Sequence, residues 1–357
     1  MPVTDIRGVK VTKKSRPPLS LLLTAVSAFR VIRKVSKTSR EEYVNRFSHE
    51  GLREMMRSFT NETSGIMPLV FTMGILASGD GGFPEGGSLP FAQRMVDTFT
   101  SLGGEILYRT CATRVIVEGG KAVGVMVDDK RLDADAVIVT ADTMQIDHLF
   151  ESPLQSPWLN KMRATTLPTT CVLISLGIDA DLSAYPHRYV FKLDEPISLD
   201  SQSYETLSIN NYAGDPVYSP ENKTALTTML DGDTYDFWKR AKEDGTYAAK
   251  KQKVADSIIA AIEAQLPEVA GKVAVCDVAT PLTYERYCGN WKGSWMSEVT
   301  SGMSMKTYPA TVKGLERCYF AGQRMMPPGG LPIALMTGRS AVQHLCRDTN
   351  TLFISEE

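Results

Sequence analysis

The sequence predicts a mixed α/β fold. Three observations carry that expectation. Residues 105–141 are short apolar runs broken by glycine turns, the pattern of consecutive strands. Thr246 to Gln265 keeps Val254, Ile258, Ala261 and Ile262 at helical spacing, with Pro267 just beyond its end. Near the C-terminus, Arg317 to Gly322 reads as a strand that passes through a Gly/Pro turn into a further helix. A chain of 357 residues is long enough for about two domains. Its apolar share of 43% and charged share of 22% are ordinary for a globular protein and argue against extensive disorder.

The first forty residues stand apart in charge. They hold ten Lys or Arg side chains against one acid, Asp5, while the whole chain carries only −2. That overall balance offers no global basic field for nucleic acid. Within the basic stretch, Leu19 to Phe29 is apolar but far shorter than the roughly 20 residues that span a bilayer. Arg30, Arg33 and Lys34 follow directly, where a signal peptide needs small residues for cleavage. Two readings stand for a helix from about Pro18 to Val35. It lies on an anionic membrane surface, or it packs one face on the core and keeps a solvated basic rim.

Further along, Thr38-Ser39-Arg40-Glu41 predicts a capping box opening a helix, with Tyr43, Val44 and Phe47 on one face. Ser48 to Phe59 reads as the next helix. Residues 65–77 are apolar and Met-rich and read as core, with a lipophilic pocket lining as the other reading. Residues 79–90 are turn-rich and lead into a helix. Ser88 caps it, Pro90 sits in its first turn, and Phe91, Met95, Val96, Phe99 and Leu102 share a face. Gly103-Gly104 stops it. Glu105 to Tyr108 leads into two strands that flank a Gly119-Gly120 hairpin turn. Ala136 to Val139 reads as a buried strand. Residues 150–240 read as further strands and loops, 273–281 as a strand, and 284–310 as a long loop region. The last helix runs from Pro332 to about Cys346. No internal repeat is evident.

Metal and nucleophile chemistry have no sequence signal. The six cysteines are widely spaced, and the four histidines (His49, His148, His187, His344) are unpaired, so no metal site is expected. This cysteine usage reads as a reduced, cytoplasmic chain. No serine elbow is present, and no catalytic side chain stands out. The informative element is the C-terminal strand, glycine turn and helix. Free N–H groups at such a helix start, with its dipole, suit an anion or an electron-rich ring edge.

At these residues the sequence resembles a known family. Residues 319–345 (YFAGQRMMPPGGLPIALMTGRSAVQHL) look like the C-terminal flavin motif of the phytoene desaturase-like FAD-dependent oxidoreductases, of the amine-oxidase superfamily. Residues 83–106 resemble the family's Pro-x-Gly-Gly segment and the helix after it. Residues 110–142 resemble its hairpin and strand toward the adenine end of FAD, and 38–59 resemble the helical region upstream. The resemblance implies a partial FAD/NAD(P)-binding Rossmann-like domain with a mixed-sheet and helical substrate domain. Residues 1–78 and 151–310 fall in the substrate domain, and 79–150 and 311–350 in the FAD-binding domain. It places Gly322 and Gln323 by the pyrophosphate and ribitol of FAD. Gly329 allows close approach, and Gly330, Leu331 and Pro332 present backbone to the ribitol and the pyrimidine edge of the ring. Ala112 and Ala141 fall toward the adenine, and Gly86 and Gly87 toward the flavin or the substrate channel.

The sequence also departs from the family. Gln323 stands where the superfamily often has an acid, and Pro328 replaces an expected glycine. The family's G-x-G-x-x-G strand–turn–helix is not found in this sequence. Without it, the strands Ala136–Val139 and Cys318–Ala321 are expected to lack their central partner. The function implied is hydride transfer to or from FAD on a lipophilic polyene or isoprenoid-like substrate, by a truncated product or one half of a split enzyme with a separate N-terminal half. A non-catalytic, membrane-associated binder of an apolar ligand or partner, and an oxidase of polar amines, are the other two readings.

Overall fold

The computed structural model describes residues 26, 29–35, 37–57, 66–79, 81–298 and 306–353. Most of the basic segment from Pro18 to Val35 thus lies outside the described residues. Residues 29–35 are helical, and Phe29, Val31 and Ile32 on them are exposed. The following helices are α1 (Arg40–Val44), α2 (Glu50–Arg57), α3 (Met67–Ser78), α4 (Ser88–Ser101), α5 (Pro157–Thr165), α6 (Tyr235–Glu243), α7 (Tyr247–Gln265), α8 (Pro281–Cys288) and α9 (Leu331–Thr349). The strands are β1 (Ala112–Glu118), β2 (Lys121–Val127), β3 (Lys130–Asp133), β4 (Val137–Val139), β5 (Pro168–Thr169), β6 (Cys171–Ile178), β7 (Arg188–Leu199), β8 (Gln202–Asn211), β9 (Thr224–Asp231), β10 (Val273–Ala279), β11 (Met296–Ser297) and β12 (Cys318–Phe320). The chain divides into two compact units, residues 1–84, 97–166 and 297–357 in one, and 85–96 and 167–296 in the other.

In the first unit, the cap of α1 is Ser39, whose hydroxyl accepts the Glu42 N–H at 3.2 Å. It is one residue later than the expected Thr38 cap. The Thr38 hydroxyl is already committed, donating to Lys34 O at 3.0 Å across the preceding turn. Val44 is buried, and the Tyr43 and Phe47 rings meet edge to face at 5.5 Å. The reading of residues 65–77 as core is corrected. Ile66 and Leu69 are buried, but Val70, Met73 and Leu76 on α3 are 40%, 42% and 58% exposed. The helix is apolar on every side, so periodicity gives no direction for its burial. α4 falls in both units, residues 88–96 in the second and 97–101 in the first. On the apolar face read from the sequence Met95, Phe99 and Leu102, just past the helix end, are exposed, while Phe91 and Val96 are half-buried. Gly103 and Gly104 close the helix, their N–H groups bonding Thr100 O and Phe99 O.

The β1–β2 hairpin turns on Gly119 and Gly120, both at positive φ, and pairs Glu118 with Lys121. β3 adds to β2. Glu105 to Tyr108 is irregular rather than strand. The core here joins Val115, Val137, Val139, Ile146, Leu149, Leu159, Met162 and Phe320. Phe320 packs on Phe150 and Trp158, and Trp158 Nε1 donates to Thr311 O at 2.9 Å.

The second unit is built on an antiparallel sheet of order β10-β6-β9-β8-β7. Alternation decides its faces. Val172, Ile174, Leu176 and Ile178 of β6 meet Leu226 and Leu230 of β9, Leu207 and Ile209 of β8, and Val254, Ile258 and Ile262 of α7. Each such side chain contributes about 1.5–3 kcal/mol on burial. Trp238 of α6 is wholly buried in the same core. Three elements were not expected from the sequence. α5 and α6 lie in a region read as strands and loops, and β8 is rich in Gln, Ser and Asn, poor strand formers that pairing on both sides holds extended. The loop expected from residue 284 starts later, because α8 continues to Cys288. Its Thr280 and Thr283 form a reciprocal capping box around Pro281.

Candidate cofactor site at the ends of two parallel strands

β4 and β12 run parallel, with Cys318 opposite Val137 and Phe320 opposite Val139. The expectation that the two strands lack a partner is corrected in part, because they bond to one another. Val137 N–H donates to Arg317 O at 2.8 Å, and Ala321 N–H donates to Val139 O at 3.1 Å. On the far side of β12, Phe320 N–H donates to Ala310 O at 2.8 Å. The far side of β4 is open. In this parallel register the N–H and C=O of Ile138 point away from β12, and among the described residues nothing bonds them.

Both strands leave the sheet at the same end. Open parallel sheets bind ligands at that carboxyl end. β4 continues through Thr140-Ala141-Asp142, and β12 through Ala321-Gly322-Gln323-Arg324. The second exit doubles back through Pro327-Pro328-Gly329-Gly330 and opens α9. Gly329 and Gly330 sit at φ of 105° and 94°, which L side chains rarely adopt. A Cβ on Gly329 would stand 3.1 Å from Gln323 O. Thr337 ties the turn to α9, since its hydroxyl accepts the Gly322 N–H at 3.0 Å and reaches Ile333 O at 2.8 Å. Gln323 Oε1 lies 3.4 Å from the Gly330 N–H.

The first intrahelical bond of α9 runs from Ala334 N–H to Gly330 O. The N–H groups of Leu331 and Ile333 therefore have no acceptor inside the helix, and Pro332 has no N–H to satisfy. Leu331 and Pro332 are exposed. The result is a glycine-walled turn with outward donors at the positive end of a 19-residue helix. These features fit the polar edge of a flavin. Side-chain nucleophiles are disfavoured beside it. Burial pushes the Cys318 thiol up to about 12. Burial, with the hydrogen bond to Asp348 at 3.0 Å, pushes the Tyr319 phenol up to about 12.

The structure thus brings Gly322, Gln323, Gly329, Gly330, Leu331 and Pro332 together in one turn, with Ala141 at the neighbouring strand exit. Ala112 opens β1 in the same unit. Gly86 and Gly87 belong to the other unit, where a Cβ on Gly87 would meet the Tyr218 hydroxyl. Four residues of the site escaped sequence reasoning: Asp142, Ser297, Arg324 and Thr337. Asp142 and Arg324 left a faint signal, since charges of opposite sign follow closely on two buried apolar strands.

A family profile described as flavin containing amine oxidoreductase matches residues 30–346. The chain belongs to this family. Among curated proteins, it is 25% identical over 276 residues to the chloroplastic prolycopene isomerase of Daucus carota, across 74% of this chain and 44% of that protein. The chain therefore spans less than half of that relative. Among solved structures, an oxidoreductase from Methanosarcina mazei shares the fold at a TM-score of 0.59 and 16% identity, over 92% of this chain and 73% of that one. A putrescine oxidase bound to putrescine shares it at 0.56 and 13%, over 88% and 69%. The chain has a mixed α/β fold, and the family it belongs to is one of flavin-containing oxidoreductases. Among the described residues, no helix is long and apolar enough to cross a membrane, and no cluster of metal-ligating side chains is present.

Proposed function

We propose that this chain is the C-terminal flavin-contacting part and the substrate domain of an FAD-dependent oxidoreductase acting on a lipophilic, polyene- or isoprenoid-like substrate. One observation carries the reading: in a flavin amine oxidoreductase chain, two adjacent parallel strands empty onto a glycine turn at the start of α9. Gly322, Gln323, Gly329, Gly330, Leu331 and Pro332 would hold the pyrophosphate, the ribitol and the pyrimidine edge, with Ala141 and Ala112 toward the adenine. Bound FAD would supply the two-electron chemistry, taking or giving a hydride while a proton exchanges with solvent. The chain's own part is to donate N–H groups at the ring edge and to place the positive helix end where negative charge grows on reduction.

Similarity to a prolycopene isomerase supports a polyene substrate. The open edge of β4 supports a further β-α-β unit, in a separate chain or in a longer form of this one, adding a strand beside Ile138. The +9 segment of residues 1–40 supports peripheral contact with an anionic membrane.

The test is anaerobic. The FAD-loaded chain is mixed with a polyene in detergent micelles or with a primary amine in buffer, and bleaching of the flavin is followed. Bleaching by the polyene with formation of a desaturated product supports the proposal. Bleaching by the amine alone would replace it with an amine oxidase, and no bleaching by either would leave a binder without catalysis.

A further inference from the structure

Asp142 and Arg324 are a buried ion pair that no part of the hydride chemistry needs. Their side chains are 3% and 2% exposed, with Arg324 Nε 3.1 Å from Asp142 Oδ2 and 3.3 Å from Oδ1. Each sits on a different strand exit. Asp142 lies two residues beyond Thr140 on the β4 exit, where its Oδ1 also accepts the Met144 N–H at 3.1 Å. Arg324 lies two residues beyond Gly322 on the β12 exit, and its Nη1 donates to the buried Ser297 hydroxyl at 3.2 Å. Ser297 N–H in turn donates to Pro328 O at 2.9 Å, inside the turn that leads to Gly329. A further contact at 3.9 Å joins Thr143 Oγ1 to Met325 Sδ.

Three segments far apart in sequence are thus held by one guanidinium. Burying such a pair is a poor route to stability, because desolvation offsets most of the attraction. What it supplies is geometry. A planar fork holds two exits at a fixed spacing, and the Ser297 bond carries that spacing into the glycine turn. We propose that Arg324 and Asp142 are positioning residues that set the spacing of the two strand exits and so preorganise the flavin cradle. The inference rests on the reading of this turn as the flavin site.

The test compares FAD affinity, by quenching of flavin fluorescence, with thermal unfolding of the cofactor-free chain. Wild type is set against Arg324→Lys, Asp142→Asn and the apolar double variant Asp142→Leu/Arg324→Met. Arg324→Lys keeps the charge but loses the fork, so it is expected to fold and to bind FAD at least about tenfold more weakly. The double variant removes both charges, so its midpoint is expected to stay within a few degrees of wild type while its FAD affinity stays about tenfold lower. Affinity losses that simply follow the losses in unfolding temperature would overturn the inference, as would a double variant that binds FAD like wild type. A wild-type chain that retains no flavin would overturn the reading of the site itself, and the inference with it.

Discussion

Asp231 gives the sharpest prediction for the second unit. It ends β9, directly opposite Cys171 of β6, on the sheet face away from the α7 core. Its Oδ1 is buried without a hydrogen-bond partner. Its electrostatic neighbours are the Cys171 thiol, raised by burial to about 12, and the Tyr204 phenol, also raised chiefly by burial. Among the described residues no cation offsets the carboxylate, and burial lifts its pKa to about 6. The sign follows directly. Between an unfolded value near 3.8 and a folded value near 6, the folded chain keeps a proton that the unfolded chain has released, so stability falls as pH rises through this window. At roughly 1.4 kcal/mol per pH unit the loss totals about 3 kcal/mol above pH 6. Asp231→Asn has no proton to lose. It should match wild type near pH 4 and be more stable by up to about 3 kcal/mol near pH 7.5. Urea unfolding read by tryptophan fluorescence at several pH values, taken as variant minus wild type, isolates this one group. A difference that does not change with pH, or one that grows toward acid, refutes the reasoning.

Three further predictions concern the first unit and the N-terminal segment. Phe320→Ala removes a wholly buried ring that packs on Phe150 and Trp158, and should cost about 3–5 kcal/mol in denaturant unfolding. Gly330→Val puts a β-branched residue at φ of 94°, where its Cβ would stand in ordinary contact with Pro332 Cδ at 3.9 Å but the backbone is strained; FAD affinity should fall at least tenfold, with about 1–3 kcal/mol lost in stability. Binding to anionic vesicles should weaken steeply with added salt and vanish when residues 1–36 are deleted, and unchanged co-sedimentation of the truncated chain would contradict it.

The sequence was most legible where local chemistry and tertiary environment agree. Gly119-Gly120 fixes a hairpin by backbone preference alone, and the i, i+4 apolar residues of α7 point to the core that covers them. It was least legible where pairing partners decide. β8 contains Gln202, Ser203, Glu205 and Asn210, and only its neighbours β7 and β9 make it a strand. The direct pairing of β4 with β12 depends on two strands some 180 residues apart, and nothing local announces it. The apolar character of α3 and α4 is legible, but the core reading of α3 is not borne out, because an apolar segment does not say what covers it. At the candidate site, the glycines and the helix start were visible as a motif. Ser297 was not, and Asp142 and Arg324 showed only as charges just past two apolar strands, since a buried ion pair between distant segments has no sequence spacing.

The central claim is that the turn from Gly322 to Pro332 holds FAD. It is tested most directly by the visible absorbance spectrum of the purified chain after incubation with excess FAD and desalting, alongside the Gly330→Val variant. The account predicts a flavin band retained near one equivalent by wild type and largely lost by the variant. Equal retention by both would show that flavin binds elsewhere, and a colourless wild-type chain would show that these residues alone do not make the site.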